Sequence, residues 1–494
     1  MSRHLSPTPR AGRPSPGLLA AASLALAATA SVATASVTVL QVEADGSTAT
    51  TGIQYAPVEF AGSTTVTSGG VTYYALSAVA PDSTYSGHAA TVRDRLLAAD
   101  GAANPVTDIY CLYASDLLDD YVKTAAESTV AARPALLGNG IKVVNNSWVG
   151  SYGTFALDQD AQRRMDYMIA REDLVWVSGA VTDDSYGSPL VWTARNGIAV
   201  RGTQAFDPAN ATYEQVGKRH ADLWGPKAAS GLDEAASYET PGVAGYAAGL
   251  VETATTTAGL GNAQKHQVVK SLLLTGADKT ATTSNGFLSW SRETVNNLDV
   301  QDGAGRADYQ KSLAVLTAGE KAEADVSAGA VVAPAATLDT QGWVWGNLLA
   351  NGKQAVVVEV AGATLSNLTA TLTWDVTQQE KPGNKLDTTD AGVIFANLDL
   401  ELLPVSFDGS AYTLGDSFGI AGLMSKATDD NVEHLYYNTG TLAAGYYAFV
   451  FSNSSGFAQD YGFSYSFDLA AIPEPGVLAL LALGGALLLR RRRR

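Results

Sequence analysis

Of the chain's 494 residues one is a cysteine, Cys111. That excludes an internal disulfide framework and the structural zinc sites built from paired cysteines. Cys111 lies in the apolar run Ile109–Tyr113 and reads as a small buried hydrophobe rather than a catalytic thiol. Basic residues are scarce as well: 32 Lys and Arg stand against 49 Asp and Glu, a net charge of -17. A nucleic-acid partner requires a basic face, so that class of function is set aside. Histidines number five, so chemistry that needs an imidazole has few positions to use. Long apolar runs are missing. The two longest, Gly17–Ala30 and Val477–Leu489, fall short of the roughly 20 residues a full membrane span needs. A chain of this length can still bury two or three cores without disulfides.

Both ends read as addressing segments. Arg3, Arg10 and Arg13 precede the first apolar run, and Ala28-Thr-Ala30 and Ala33-Thr-Ala35 follow it, the pattern of a secretory signal over residues 1–35. The first strand begins almost at that cleavage point, so no pro-domain is expected. At the other end Pro473-Glu474-Pro475 precede the charge-free run and then Arg490–Arg494. Motif, run and arginine cluster together resemble the PEP-CTERM sorting signal, here residues 471–494. The resemblance implies export, transient anchoring by a short transmembrane segment, and cleavage near Pro473–Pro475. The processing partners would be signal peptidase at one end and an exosortase-type enzyme at the other. The destination is the bacterial cell envelope or the medium.

Between these ends the patterning changes near residue 318. From 36 to 317, short apolar runs (Val37–Val42, Asp108–Tyr113, Ile141–Val144, Leu174–Val177, Gly197–Val200) alternate with helix-like stretches at 89–99, 155–171, 241–257 and 263–275. Buried strands alternating with helices predict an α/β fold, a doubly wound parallel sheet covered on both faces. Residues 318–338 read as a linker or first strand. From 339 to 470, period-two alternation recurs between turn residues in Val356–Val360, Thr369–Trp374, Leu398–Leu402 and Tyr446–Phe451. That predicts an all-β sandwich.

The chemistry centres on the stretch 233–252. Its second half is built from Ala, Gly and Val, as a closely packed helix would be, and Pro241 is tolerated in a first turn. The helix then starts at about Ser237, which has two readings. It is either an N-cap or a nucleophile at the positive end of a helix, beside backbone donors for an oxyanion. Ser237-Tyr-Glu-Thr-Pro-Gly-Val-Ala-Gly245 resembles the serine motif of the subtilisin-like proteases (subtilases), with Ala236 and Gly242 as departures. A serine nucleophile needs a base, and the base an orienting third group. Ser86-Gly-His88-Ala-Ala-Thr-Val92 resembles the family's histidine motif, and the end of the first strand resembles its acid motif, with Glu43 in the acid position and Asp45 as the alternative. The resemblance implies Ser237 as nucleophile, His88 as general base and Glu43 as orienting acid, in the order acid, His, Ser.

The family's oxyanion Asn is replaced here by Val181 or, in the other register, Ala180, with Thr182 as a substitute donor if the loop is shifted. Val143-Val-Asn-Asn-Ser-Trp-Val-Gly150 resembles its substrate-flanking strand and places Asn146 and Ser147 near the cleft. The domain after residue 338 resembles the pre-peptidase C-terminal sandwich of secreted bacterial proteases. The expected protein is an exported serine endopeptidase acting on polypeptides without a cofactor. The alternative is an impaired surface or matrix binding protein on the same scaffold. Structural calcium, common in the family, has no ligands assignable in this sequence, and no metal site is expected. His220 reads as a loop residue, His266 as mid-helix. Asp429–His434 reads as a hydrogen-bonded turn or an oxygen-rich loop for Ca²⁺.

Overall fold

The computed structural model describes residues 36–44, 56–77, 86–98, 105–123, 137–180, 189–203, 218, 220–227, 231, 233–283, 286–287, 290–292, 295–331, 336–381 and 385–471. The first half is an α/β region built on a mainly parallel sheet, and a β-rich region follows it. The sheet's eight strands are β1 (Val37–Glu43), β2 (Thr65–Ser68), β3 (Val71–Ala75), β4 (Val106–Tyr113), β5 (Ile141–Asn146), β6 (Val175–Gly179), β7 (Ile198–Arg201) and β8 (Leu223–Trp224). They lie in the order β2-β3-β4-β1-β5-β6-β7-β8, and only β2 runs antiparallel to its neighbour.

β1 shows why the sheet is covered on both faces. Val37 and Val39 enter one core, while Leu40 and Val42 enter the other. Alternation therefore puts Gln41 and Glu43 on the face of Val37 and Val39. That face is covered by α1 (Gly87–Leu97), α3 (Ala236–Thr256), α4 (His266–Gly276) and α5 (Tyr309–Thr317). α2 (Phe155–Glu172) covers the other, burying Ala161, Met165, Met168 and Ile169 against Leu40, Val42 and Trp176. The observed helices lie within a few residues of the predicted ones, but Pro241 does not. It is the sixth residue of α3, past the first turn where sequence rules place it. Cys111 is fully buried, and burial pushes its thiol well above the ordinary range.

The two large sheets of the β-rich region share one core. β11 (Gln341–Leu348), β13 (Ala363–Trp374), β17 (Val432–Tyr437) and β19 (Gln459–Ala471) form a four-stranded antiparallel sheet in the order β11-β19-β13-β17. Facing it are β9 (Ala324–Ser327), β10 (Ala330–Val331), β12 (Lys353–Val360), β14 (Leu398–Phe407), β15 (Tyr412–Leu414), β16 (Met424–Ser425) and β18 (Gly445–Asn453). Their order is β15-β10-β9-β12-β18-β14-β16. Leu372, Trp374, Phe463 and Tyr465 from the first sheet pack with Val356, Leu400, Phe449 and Phe451 from the second. The segment 318–338, read from composition as linker or first strand, supplies β9 and β10 to the larger sheet.

The two regions share a buried face. α4 lies on the four-stranded sheet, and a Cβ at Gly462 of β19 would come within 2.5 Å of the Gln267 carbonyl carbon, so glycine there admits the helix backbone. Thr373 Oγ1 donates to Gln267 O at 2.7 Å, and Gln267 Nε2 to Asp375 Oδ2 at 2.7 Å. His266 is not mid-helix, as expected, but opens α4, buried between two carboxylates: Nδ1 lies 2.8 Å from Asp173 and Nε2 2.8 Å from Asp375. His220, taken for a loop residue, lies outside regular structure but is buried, with Nε2 2.5 Å from Asp430. Asp430 also accepts from Asn296 Nδ2 at 2.9 Å, and of the stretch 429–434 the last three residues already belong to strand β17. Among the described residues no His, Cys, Asp and Glu cluster could hold a metal ion, and no helix is long and apolar enough to cross a membrane. The signal and sorting segments, with Pro473, Glu474 and Pro475, lie outside the described residues.

Candidate active site

The carboxyl ends of parallel strands, where α/β sheets gather their ligands, bring the predicted acid and base together. Glu43 is the last residue of β1, and Val42 beside it pairs with Asn146 of β5. His88 is the second residue of α1, whose start is fixed by Ser86: the Ser86 hydroxyl accepts from Ala89 N at 3.1 Å. His88 Nδ1 lies 2.8 Å from Glu43 Oε2, with the Glu43 side chain 4% and the His88 side chain 37% exposed. A carboxylate only accepts, so the imidazole proton sits on Nδ1 and the Nε2 lone pair is left outward. Gln41, two residues before Glu43, is fully buried. Its Nε2 donates to Glu43 Oε1 and to Ala89 O, each at 2.9 Å.

Ser237 is the second residue of α3, not its cap. The cap is Ala235, extended at φ -63° and ψ 151°, whose carbonyl accepts from Tyr238 N and Glu239 N. The N-cap reading of Ser237 therefore fails, because a hydroxyl inside the first turn has passed the position from which it could cap. The Ser237 N–H has no partner among the described residues and stands at the positive end of the helix. Pro241, four residues on, has no N–H for the Ser237 carbonyl.

The start of α3 is held from several sides. A Cβ at Gly202, just past β7, would fall 2.3 Å from Ala236 N, and one at Gly179, ending β6, 3.0 Å from Thr240 Oγ1. Arg306 pairs with Asp233 at 2.5 Å, and Arg95 of α1 pairs with Glu234 at 2.5 Å. Arg95 thus ties α1, which carries His88, to the turn that precedes Ser237. The Tyr238 ring lies 5.2 Å from the His88 ring. Among the described residues no hydrogen bond joins Ser237 to His88, a contact that in unliganded sites often forms only with substrate.

Asn146 and Ser147 are buried at 0% and 4% exposure, within the strand-end layer rather than on an open wall. Asn145 Nδ2 donates to Ser147 Oγ at 3.1 Å, and Asn146 Nδ2 to Val177 O at 3.5 Å. Asp45, Val181 and Thr182 lie outside the described residues. Sequence reasoning missed Gln41, Arg95 and Tyr238. For Gln41 a signal exists: it is an uncharged polar residue on the helix-covered face of an otherwise apolar strand.

The hydrogen bond to Glu43 holds His88 above its ordinary value of 6.5, against the opposing effect of burial. A base must be neutral to act, so the acid limb of a kcat/KM profile is expected above pH 6.5. A limb at or below that value would remove Glu43 from the role of orienting acid. The same raised value contributes stability that is present below pH 6.5 and is lost as pH rises through it.

No family model matches the sequence, and no curated protein matches it. Among solved structures the chain is similar to a psychrophilic protease, at 16% identity and a TM-score of 0.32, over 56% of this chain and 92% of that one. It is similar to tripeptidyl peptidase 2 at 10% identity and a TM-score of 0.28, over 77% of this chain and 40% of that one. A mitogen derived from Yersinia pseudotuberculosis matches 26% of this chain and 84% of its own, at 14% identity and a TM-score of 0.16. Two of the three are peptidases. At these scores the likenesses carry no argument about chemistry.

Proposed function

We propose that the protein is a subtilisin-like serine endopeptidase, exported to the cell envelope or beyond. The observation that carries the reading is the 2.8 Å contact of His88 Nδ1 with buried Glu43, beside a helix that starts at Ala236 and whose Ser237 N–H has no partner among the described residues. In the proposed reaction Ser237 Oγ attacks the peptide carbonyl carbon while His88 Nε2 takes its proton. Glu43 holds the Nδ1–H and stabilises the imidazolium that forms. The Ser237 N–H donates to the carbonyl oxygen as it gains charge. The tetrahedral intermediate collapses as imidazolium protonates the leaving amine. A water activated by the same base then releases the acyl group.

The substrate is a polypeptide and no cofactor takes part. Export would use the 1–35 signal, and the 471–494 tail would anchor the protein until an exosortase-type enzyme removes it. The second reading is a surface binding protein with an impaired site, favoured by the missing Ser237–His88 bond.

A fluorophosphonate probe separates the two. It is expected to label the tail-deleted protein and to leave Ser237→Ala unlabelled. A folded protein that resists the probe would support the binding reading.

A further inference from the structure

We infer that Gln41 is a positioning residue that locks the orientation of the acid's carboxyl group against His88, a role that decides the tautomer of the base once the two ends of that group are made unlike. This deepens the endopeptidase reading and rests on it for its catalytic consequence. Gln41 and Glu43 are i and i+2 on β1 and share the face covered by α1 and α3. Gln41 Nε2 bridges Glu43 Oε1 and the carbonyl of Ala89, the residue after His88, at 2.9 Å each.

Both neighbours are acceptors, a carboxylate and a backbone carbonyl, so the amide has one orientation, NH₂ toward them. The amide oxygen is buried and has no partner among the described residues. A buried acceptor left unpaired costs free energy. The flipped orientation would cost more, because it sets an oxygen against two oxygens. The side chain therefore acts as a one-way donor linking the strand of the acid to the helix of the base. A glutamate has one more rotatable bond than an aspartate. The bridge to Oε1 removes that freedom and leaves Oε2 directed at Nδ1, 2.8 Å away.

The test uses two substitutions singly and together in the full chain. Gln41→Met keeps the length and removes the donor. It is expected to lower kcat about tenfold with little change in KM, the loss of one hydrogen bond to a charged group. In Glu43→Gln the Gln41 donor fixes the new amide, oxygen toward Gln41 and NH₂ toward His88. Nδ1 must then accept, and the proton moves to Nε2.

Adding Gln41→Met to Glu43→Gln frees that amide to turn its oxygen toward Nδ1. The double variant is expected to regain about tenfold over Glu43→Gln alone, so the same substitution harms one background and helps the other. Nitrogen-15 chemical shifts of His88 read the tautomer without any turnover: proton on Nδ1 in the native protein, on Nε2 in Glu43→Gln, and returned in part to Nδ1 in the double variant.

Additive losses, or an unchanged His88 tautomer in Glu43→Gln, would overturn the inference. Gln41→Leu repeats the series should the methionine fail to pack, with melting curves confirming that each variant is folded. If the native protein shows no hydrolysis but the tautomer moves as stated, the positioning role stands and the endopeptidase reading falls.

Discussion

Glu43→Gln is expected to reduce peptide hydrolysis by about 10⁴-fold, the scale at which a serine triad suffers when its acid becomes an amide. The substitution is nearly isosteric and leaves the fold in place, because the site of Glu43 is polar on both sides. Its Oε1 meets the Gln41 amide and its Oε2 meets His88. The loss arises from direction. Gln41 can only donate, so the new side chain must offer it oxygen and present NH₂ to the imidazole. The imidazole answers with the Nδ1 lone pair, and its Nε2 carries the proton that should have come from Ser237. Stability measured by urea denaturation is expected to fall by roughly 1–2 kcal/mol, since two hydrogen bonds to a charged group are exchanged for neutral ones. A kcat within tenfold of native, in a folded variant, would rule out Glu43 as the orienting acid and turn attention to Asp45.

What could be read from sequence is uneven, and the reasons are physical. Strand β1 announces itself by Val37, Val39, Leu40 and Val42, because a strand buried on both faces must be apolar at nearly every position. The end of that strand and the helix at His88 follow from pattern too, and the structure sets Glu43 and His88 in contact across 45 residues. The start of α3 was legible to within one residue, but the position of Pro241 was not. Sequence rules put proline in a first turn. The close approach of Gly179 and Gly202 holds the helix start so firmly that a missing backbone bond one turn later is tolerated.

The shared face between the two regions left almost no trace. His266 meets Asp173 and Asp375 at separations of 93 and 109 residues. Periodicity reports which face of an element is buried, not what it is buried against. A histidine read as mid-helix carries no local sign that a second sheet lies over it. Composition left 318–338 open between linker and first strand, because Ala, Gly and Val suit both a linker and the short strands β9 and β10 found there.

That face sets the second expectation. His266→Ala should destabilise the protein by roughly 3–5 kcal/mol, the usual penalty for removing one partner of a buried charge set. Both ring nitrogens face carboxylates, so the native imidazole carries both protons. Without it Asp173 and Asp375 lose their shared cation.

Burial opposes the charge on His266, but Asp375 and the hydrogen bonds to both carboxylates outweigh it and raise the group to about 9. The stability this contributes is complete below the ordinary value of 6.5 and is lost as pH rises through about 9. Asp173 marks the acid side. Burial works against its charge, yet its hydrogen bond to His266 and the pairing with Lys142 hold it well below 3.8. Its contribution is present above 3.8 and is lost as pH falls toward that depressed value.

Native protein should therefore melt at progressively lower temperature between pH 7 and 10, while His266→Ala, already lacking the cation, should show a flatter profile. Because α4 is packed in the α/β core together with Trp343 and Val432 of the four-stranded sheet, the transition should be single: Trp176 and Trp192 of the α/β region and Trp343 and Trp374 of the β-rich region are all buried and should report one midpoint. Two separated transitions in the native protein would show that the regions unfold independently, and the His266 contacts would then not couple the β-rich half to the candidate active site.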